Sequence, residues 1–440
     1  MNVRTLRSSP PFDDIRALMR VSSAGDPQLR AQVEAIIERV ADGGDLGLLS
    51  CVREFDGGAP ASVDELRISA GELARAAEEL LDDLLISLQR AAANIRRFHE
   101  RQLERGFLDL FPDGTMLGQR VLPLRRAGVY VPGGRAAYPS SLLMSVIPAQ
   151  VAGVDEIVMV TPAPTGVIDA AVLAAAHLAG LHEVYRMGGA HAVAALAWGT
   201  ESIRAVDKIV GPGNRWVAEA KRQVFGRVDI DMVAGPSEIL VIADGDADPR
   251  HIAADLIGQA EHDPDAIAWL VTDSDRIVDA VPAELQVLLA KNPRRDTARA
   301  SLEANGLIVR VPSIEAAAEV AEIRAPEHLE LLVRDPLALA GRIRNAGAIF
   351  LGASSPEPVG DYFAGPNHIL PTGGTARWAS PLGVYDFLKR TSLIGYSEAR
   401  LRADAADVIR LAEAEGLHGH AEAVRVRTTS PSIEQIATES

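Results

Sequence analysis

Gly128-Val129-Tyr130-Val131-Pro132-Gly133-Gly134 is a short β-rich run that breaks on a proline and two glycines. The pattern returns along the chain. Ile157 to Val160 leads into Thr161-Pro162, Val184 to Met187 into Gly188-Gly189, and Ile209-Val210 into Gly211-Pro212-Gly213-Asn214. Ala-rich stretches of helical character separate the runs. Short strands alternating with helices at intervals of about 25 residues, close to the ~30 of a βαβ unit, predict a parallel sheet. A second block of the same texture begins near Gly235-Pro236-Ser237, with strands expected at Ile239 to Ala243, Ala268 to Val271, Leu307 to Val311 and Ala348 to Leu351. The chain therefore reads as α/β: two Rossmann-like parallel-sheet domains, residues 121–234 and 235–380, with a helical N-terminal segment and a helical C-terminal tail.

The flanks carry helical signals. Behind Asp26-Pro27, Leu29, Val33, Ile36, Ile37 and Val40 fall on one face with a 3.6-residue period, and Gly43-Gly44 is expected to stop that helix. The capping box Ser69-Ala70-Gly71-Glu72 predicts one long helix reaching about His99. Residues 1–25 read as an arm and 26–120 as a helical segment packing with the catalytic domain. In the tail, residues 381–440, Leu401, Ala405, Val408, Ile409 and Ala412 share a face that Gly416 ends.

At 440 residues the chain exceeds one ordinary core, so two large domains are expected. Asp plus Glu number 60 against 44 for Lys plus Arg, and a net charge of −16 repels nucleic acid and anionic membranes, which favours a small-molecule partner. The most apolar stretch, Ser141 to Val154, is broken by Pro148 and is shorter than the ~20 residues a membrane span needs. The first residues mix arginines, Pro10, Pro11 and aspartates where a secretory signal needs an apolar run, so a cytoplasmic protein is expected. Cys51 stands alone, which rules out an intrachain disulfide and a Cys-based zinc site and reads as a small buried hydrophobe.

Four of the ten histidines sit beside carboxylate or amide side chains, an inventory suited to metal binding or acid–base work. Gln259 and His262 share one face near the end of a helix begun by Asp248-Pro249; they read either as a grip on one ion or as a solvated helix terminus whose His is favoured by the dipole. Glu327-His328 follows Pro326 and can serve one reaction only if the backbone turns there; the alternative is a surface Glu beside a half-buried His. Gly360 to His368 reads as a Gly- and Pro-rich loop following a buried strand, where α/β proteins mount functional groups. It would bring Asp361 and His368 into one crevice, unless Asp361 and Asn367 merely hold an Asx turn. Gly188-Gly189-Ala190 and Gly211 to Asn214 would let a backbone approach a phosphate, but neither is G-x-G-x-x-G, and any parallel sheet needs such turns.

In their order, these segments resemble the histidinol dehydrogenase family from about Asp26 to Arg427. The stretches that carry the resemblance are Gly128 to Gly134, Val206 to Asn214, Ala234 to Leu240, Gln259 to Pro264, Ala325 to Leu329, Gly360 to Thr372 and Gly416 to His420. The resemblance implies Zn²⁺ held by Gln259, His262, Asp361 and, across a homodimer, His420. Substrate contacts would add Ser237 and Glu415 to these and to Glu327 and His328, with NAD⁺ near Tyr130, His191 and Asn214. It implies oxidation of L-histidinol to L-histidine through bound L-histidinaldehyde, the last steps of histidine biosynthesis. His328 would be the base, Glu327 would activate water, and His368 would bond the reacting oxygen. Where the family usually has Gln, this chain has His191, whose neutral ring also offers one donor and one acceptor. Competing readings are a related enzyme acting on a sulfonated diol, a zinc hydrolase, and a silent metabolite-binding protein.

Overall fold

The computed structural model describes residues 3–19, 26–133, 138–164 and 166–429. Gly134 of the first glycine turn, Met1, Asn2 and residues 20–25 of the expected arm, and residues 430–440 of the tail lie outside the described residues. The strands in chain order are β1 (Arg4–Arg7), β2 (Phe107–Leu110), β3 (Met116–Pro123), β4 (Arg126–Tyr130), β5 (Glu156–Thr161), β6 (Glu183–Arg186), β7 (Lys208–Val210), β8 (Asp229–Ile230), β9 (Glu238–Ala243), β10 (Ile267–Thr272), β11 (Leu307–Arg310), β12 (His328–Leu332), β13 (Ala348–Leu351) and β14 (Leu388–Gly395). The chain divides into two compact units, one of Met1–Leu103 and Leu124–Phe387, the other of Glu104–Pro123 and Leu388–Ser440.

The first unit holds two parallel sheets. One has the order β6-β5-β4-β7-β8 and the other β1-β11-β10-β9-β12-β13. Apart from the edge strand β1, each sheet starts at a central strand, winds outward to one side and then returns to the other. The order therefore reverses between β4 and β7 in the first and between β9 and β12 in the second, the places where open α/β sheets leave a crevice. Alternate residues of β9 face opposite layers: Ile239, Val241 and Ala243 pack toward the Pro249–Ala260 helix, Leu240 and Ile242 toward the Ile314–Arg324 helix. Burial on both faces is why these strands read as nearly continuous apolar runs.

Several expectations are corrected. The helix behind Asp26 does break at Gly44 (φ 54°, ψ −136°), as expected, but a second helical stretch, not foreseen, follows directly and reaches Cys51. Glu201 bridges the break by accepting the Asp45 N–H at 2.7 Å, and burial of Leu48, Leu49 and Cys51 draws the chain onward. Ser69 caps its helix through the Glu72 N–H, but that helix ends at Glu79 and a second runs from Asp82 to His99, because Leu80 and Leu81 are extended. Glu72 itself pairs with Arg186 rather than completing the box. β1, β2, β3, β8 and β12 were not foreseen, and the segment 26–120 read as helical ends in β2 and the start of β3. β1 is an edge strand recognisable only by its pairing to β11, and β12 carries His328 and Glu330 yet is buried throughout.

In the second unit, β2, β3 and β14 form an antiparallel sheet, followed by the helices Glu398–Ala414 and His418–Thr429. The expected all-helical tail thus opens with a strand, whose partner β3 lies far away in sequence. No helix of the described residues is long and apolar enough to cross a membrane.

Candidate active site

At the carboxyl edge of the first sheet, Tyr130 ends β4 and its buried hydroxyl accepts the Gly189 N–H at 3.1 Å. Burial pushes the phenol up to about 12. Across the switch point, the Gly211 turn leaves β7, and Asn214 caps the Arg215–Val224 helix by accepting the N–H groups of Trp216 and Val217. Gly211 has φ 112°, and a Cβ there would strike the Tyr130 carbonyl, so only glycine lets these strand ends approach. His191 is buried: Nε2 lies 2.9 Å from Asp56 Oδ2, and the ring stacks on Phe55. The same Asp56 oxygen accepts the Gly188 N–H at 3.1 Å. The ring edge bearing Nε2 is thus engaged by Asp56, a residue the sequence reading passed over.

The second cluster stands at the amino edge of the second sheet, opposite the edge where loops of α/β proteins were expected to mount it. Ala325 closes the Ile314–Arg324 helix in the left-handed conformation (φ 49°), and the chain then straightens so that His328 begins β12 beside Ile239 of β9 and Ala348 of β13. The turning backbone expected around Pro326 is therefore present, but it feeds a strand. Glu238 holds both neighbours with its main chain: its N–H donates to Glu327 Oε2 at 2.8 Å, and its carbonyl lies 3.1 Å from His328 Nδ1. Nδ1 therefore carries a proton in either charge state of the ring, and the other nitrogen, Nε2, is buried 3.4 Å from Asp361 Oδ1.

Asp361 lies in the last turn of the Glu357–Tyr362 helix rather than in a loop, and His262 lies just past the end of the Pro249–Ala260 helix instead of on it. One ligand atom each from His262, Glu357 and Asp361 falls within 4.8 Å of the others. Gln259 is fully buried in the last turn of its helix, and neither its amide oxygen nor its nitrogen has a partner. His368 bridges the Asp361 carbonyl (Nδ1, 2.7 Å) and Ser141 Oγ (Nε2, 3.1 Å). Ser237 is half-buried immediately before β9. Glu415 and His420 belong to the second unit and are exposed. Glu357 escaped the sequence reading, although Pro356-Glu357 opening a helix four residues before Asp361 was a usable signal.

Charge is concentrated here. Burial alone would strip the proton from His328, but Glu357, Glu327 and Asp361 outweigh it and lift the imidazole to about 10. Burial raises Glu327 and Glu357 to about 8 each. Burial together with the neighbouring Asp255 pushes Glu330, on β12, to about 9. Asp361 resists its own burial through the hydrogen bond and charge of His328 and stays below the usual carboxylate range. Burial pulls His262 and His368 down, leaving their rings neutral with lone pairs to offer. A cluster this rich in acids, with an orphaned amide and a neutral imidazole, is built around positive charge.

Two parallel sheets, glycine turns at a switch point of the first and a buried imidazole among carboxylates at the edge of the second together describe an α/β enzyme. Comparison with known proteins narrows this. The family model described as histidinol dehydrogenase matches residues 19–428. Histidinol dehydrogenase of Halalkalibacterium halodurans is 50% identical over 417 residues, covering 94% of this chain and 98% of that protein. The Bacillus licheniformis protein of the same name is 52% identical over 412 residues, covering 93% and 96%. The crystal structure of histidinol dehydrogenase from Elizabethkingia anophelis superposes with a TM-score of 0.90 at 35% identity, covering 97% of this chain and 98% of that one. The chain belongs to the histidinol dehydrogenase family and is an oxidoreductase.

Proposed function

We propose that the protein oxidises L-histidinol to L-histidine in two NAD⁺-dependent steps through a bound aldehyde, with a zinc ion in the His262–Asp361 cluster, as a cytoplasmic homodimer. The observation that carries this reading is the orphaned Gln259 amide beside a neutral imidazole and an ionised carboxylate, set next to the buried Glu327–His328 pair. Oxygen and nitrogen donors with a single firm anion and no thiolate suit a catalytic zinc site. Gln259, His262 and Asp361 would hold the ion, and His420 would complete the shell from the partner subunit. When bound, zinc supplies positive charge and open positions that orient the amino alcohol, and NAD⁺ accepts a hydride in each oxidation. Residues 121–234 would take the cofactor, at Tyr130, Asn214 and the turn that His191 supports, and residues 235–380 the metal and the chemistry.

The residues then divide the work. His328 Nε2 takes the hydroxyl proton in the first oxidation; a cation held beside Asp361 and Glu357 would offset the field that keeps the ring protonated. Glu327, anchored by the Glu238 N–H, directs water onto the aldehyde for the second. His368, fixed at both nitrogens, faces the reacting oxygen, while Ser237 and Glu415 serve substrate binding. A cluster of buried acids suits a cationic amino alcohol better than a sulfonated diol. The homodimer is supported by the second unit, whose sheet leaves Phe107, Leu108 and Leu110 of β2 and Ile394 of β14 exposed. The test is an endpoint absorbance with L-histidinol limiting: two NADH and one L-histidine per substrate are expected, abolished by a chelator and restored by Zn²⁺. One NADH per substrate, or full activity in metal-free protein, overturns the reading.

A further inference from the structure

The Pro139–Ala152 helix is the element that follows β4 and its glycine turn, and it carries Pro148 in its interior. A proline has no N–H, so the Met144 carbonyl, one turn earlier, is denied its ordinary helical donor. Asn367 supplies another: its Nδ2 donates to that carbonyl at 2.6 Å, while its Oδ1 accepts the Ile369 N–H at 2.9 Å. Three residues before Met144, Ser141 Oγ stands 3.1 Å from His368 Nε2. Ser141, Met144 and Asn367 are all buried. The segment from Asn367 to Ile369 is thus docked on this helix twice, through the backbone by Asn367 and through the imidazole by Ser141.

We propose that Ser141 is a positioning residue that aims the His368 ring at the substrate, working from a segment that Asn367 has already anchored. The proposal rests on the dehydrogenase reading above, in which His368 faces the reacting oxygen. His368 Nδ1 lies 2.7 Å from the Asp361 carbonyl, and a ring held at that nitrogen alone can swing about the bond. A second bond at Nε2 fixes its plane. A hydroxyl suits the position because its hydrogen can turn: it donates to a bare ring nitrogen and accepts from one that carries a proton. Ser141 therefore holds the ring in either state, which a fixed donor such as an ammonium or a fixed acceptor such as a carboxylate does not. The helix that carries it leaves the β4 turn proposed to hold NAD⁺, so the half of the molecule that takes the cofactor also aims a residue of the chemistry.

The test compares wild-type, Ser141→Ala, Ser141→Thr, His368→Asn and the Ser141→Ala/His368→Asn double variant as zinc-loaded proteins. Initial rates of NADH formation from L-histidinol give kcat and KM, and the melting temperature of each protein is recorded. Ser141→Ala should lower kcat about 10-fold with KM changed less than about twofold, since a reacting group misplaced by ~1 Å can cost about 100-fold. In the His368→Asn background the same change should lower kcat less than about twofold, because no imidazole is left to aim. Ser141→Thr keeps the hydroxyl and should return kcat to within about threefold of wild type. If threonine does not fit and that variant fails to fold, the cycle of alanine and asparagine variants decides alone. A purely structural serine would lower the melting temperature equally in both backgrounds and leave kcat unchanged. Wild-type kcat in Ser141→Ala, or equal losses of kcat in both backgrounds, overturns the positioning role and leaves the dehydrogenase reading standing. Wild-type kcat in His368→Asn also overturns it, and a wild-type protein that forms no NADH from L-histidinol overturns both.

Discussion

Replacing Lys221 by Met keeps the length and apolar stem of the side chain and removes only the ammonium, which isolates the charge beneath the Gly211 turn. Lys221 is 2% exposed on the Arg215–Val224 helix; its Nζ donates to the Gly211 carbonyl at 2.9 Å and pairs with Asp231. Asp231 in turn accepts the N–H groups of Gly211 at 2.7 Å and Met232 at 2.6 Å. Removing one member of a buried pair costs about 3–5 kcal/mol, because the other charge loses its partner. Asp231 keeps two N–H donors, so the low end, about 3 kcal/mol, is expected. An unfolding entropy of ~2.1 cal/mol/K per residue over 440 residues amounts to ~0.9 kcal/mol/K, which turns that loss into a fall in Tm of roughly 3 °C. The freed Gly211 carbonyl also loosens the turn at the proposed cofactor site. One lost hydrogen bond of about 1 kcal/mol corresponds to an NAD⁺ dissociation constant raised ~5-fold. Thermal denaturation and NAD⁺ titration of the fluorescence of Trp216, on the same helix, read the two effects separately. Adding Asp231→Asn removes the stranded charge and should recover about half of the stability loss. An unchanged Tm and NAD⁺ titration in the single variant, or no recovery in the double, refutes the reasoning.

Gly211→Ala should cost more than about 3 kcal/mol in chemical denaturation, since its Cβ meets the backbone of Tyr130, which cannot yield as a side chain would; a wild-type midpoint speaks against that packing. Burial holds His99 below its ordinary value, with Nδ1 bonded to the Ile95 carbonyl. The unfolded chain therefore takes up a proton below ~6.5 that the folded chain refuses, and stability present above that pH is lost on acidification by up to ~1.4 kcal/mol per pH unit. His99→Gln should flatten the slope between about pH 6.5 and 5, and equal slopes for the two proteins would exclude a buried neutral His99. Mixing inactive His328→Ala and His420→Ala chains should restore about a quarter of wild-type sites if His420 crosses the dimer, because half the dimers are then mixed and each has one intact site. Mass-tagged heterodimers without activity would place His420 in its own subunit's site.

Much of this fold is written locally. The strands β4 to β7 and β9 to β11 announce themselves because burial makes them short apolar runs, and the glycines after several of them mark turns that other residues cannot make. The helix caps at Asp26, Ser69 and Asp248 are equally local, each side chain accepting a nearby N–H. Family membership was also legible, because it depends on the order of motifs rather than on geometry. Legibility failed wherever a residue's neighbours are remote. β12 looked polar because His328 and Glu330 are buried for the sake of groups on two other elements, and β14 is a strand only through β3.

The sequence by itself determined the parallel α/β class, the rhythm of its elements and the stock of acids, imidazoles and amides from which a site can be made, because these follow from composition, period and turn chemistry. Tertiary structure alone decided that Gln259, His328 and Asp361 gather at the amino edge of the second sheet and that Glu357 joins them. It also decided that His191 turns inward to Asp56. Those facts depend on distances between residues far apart in the chain, and only the packed sheets and the helices crossing them set such distances.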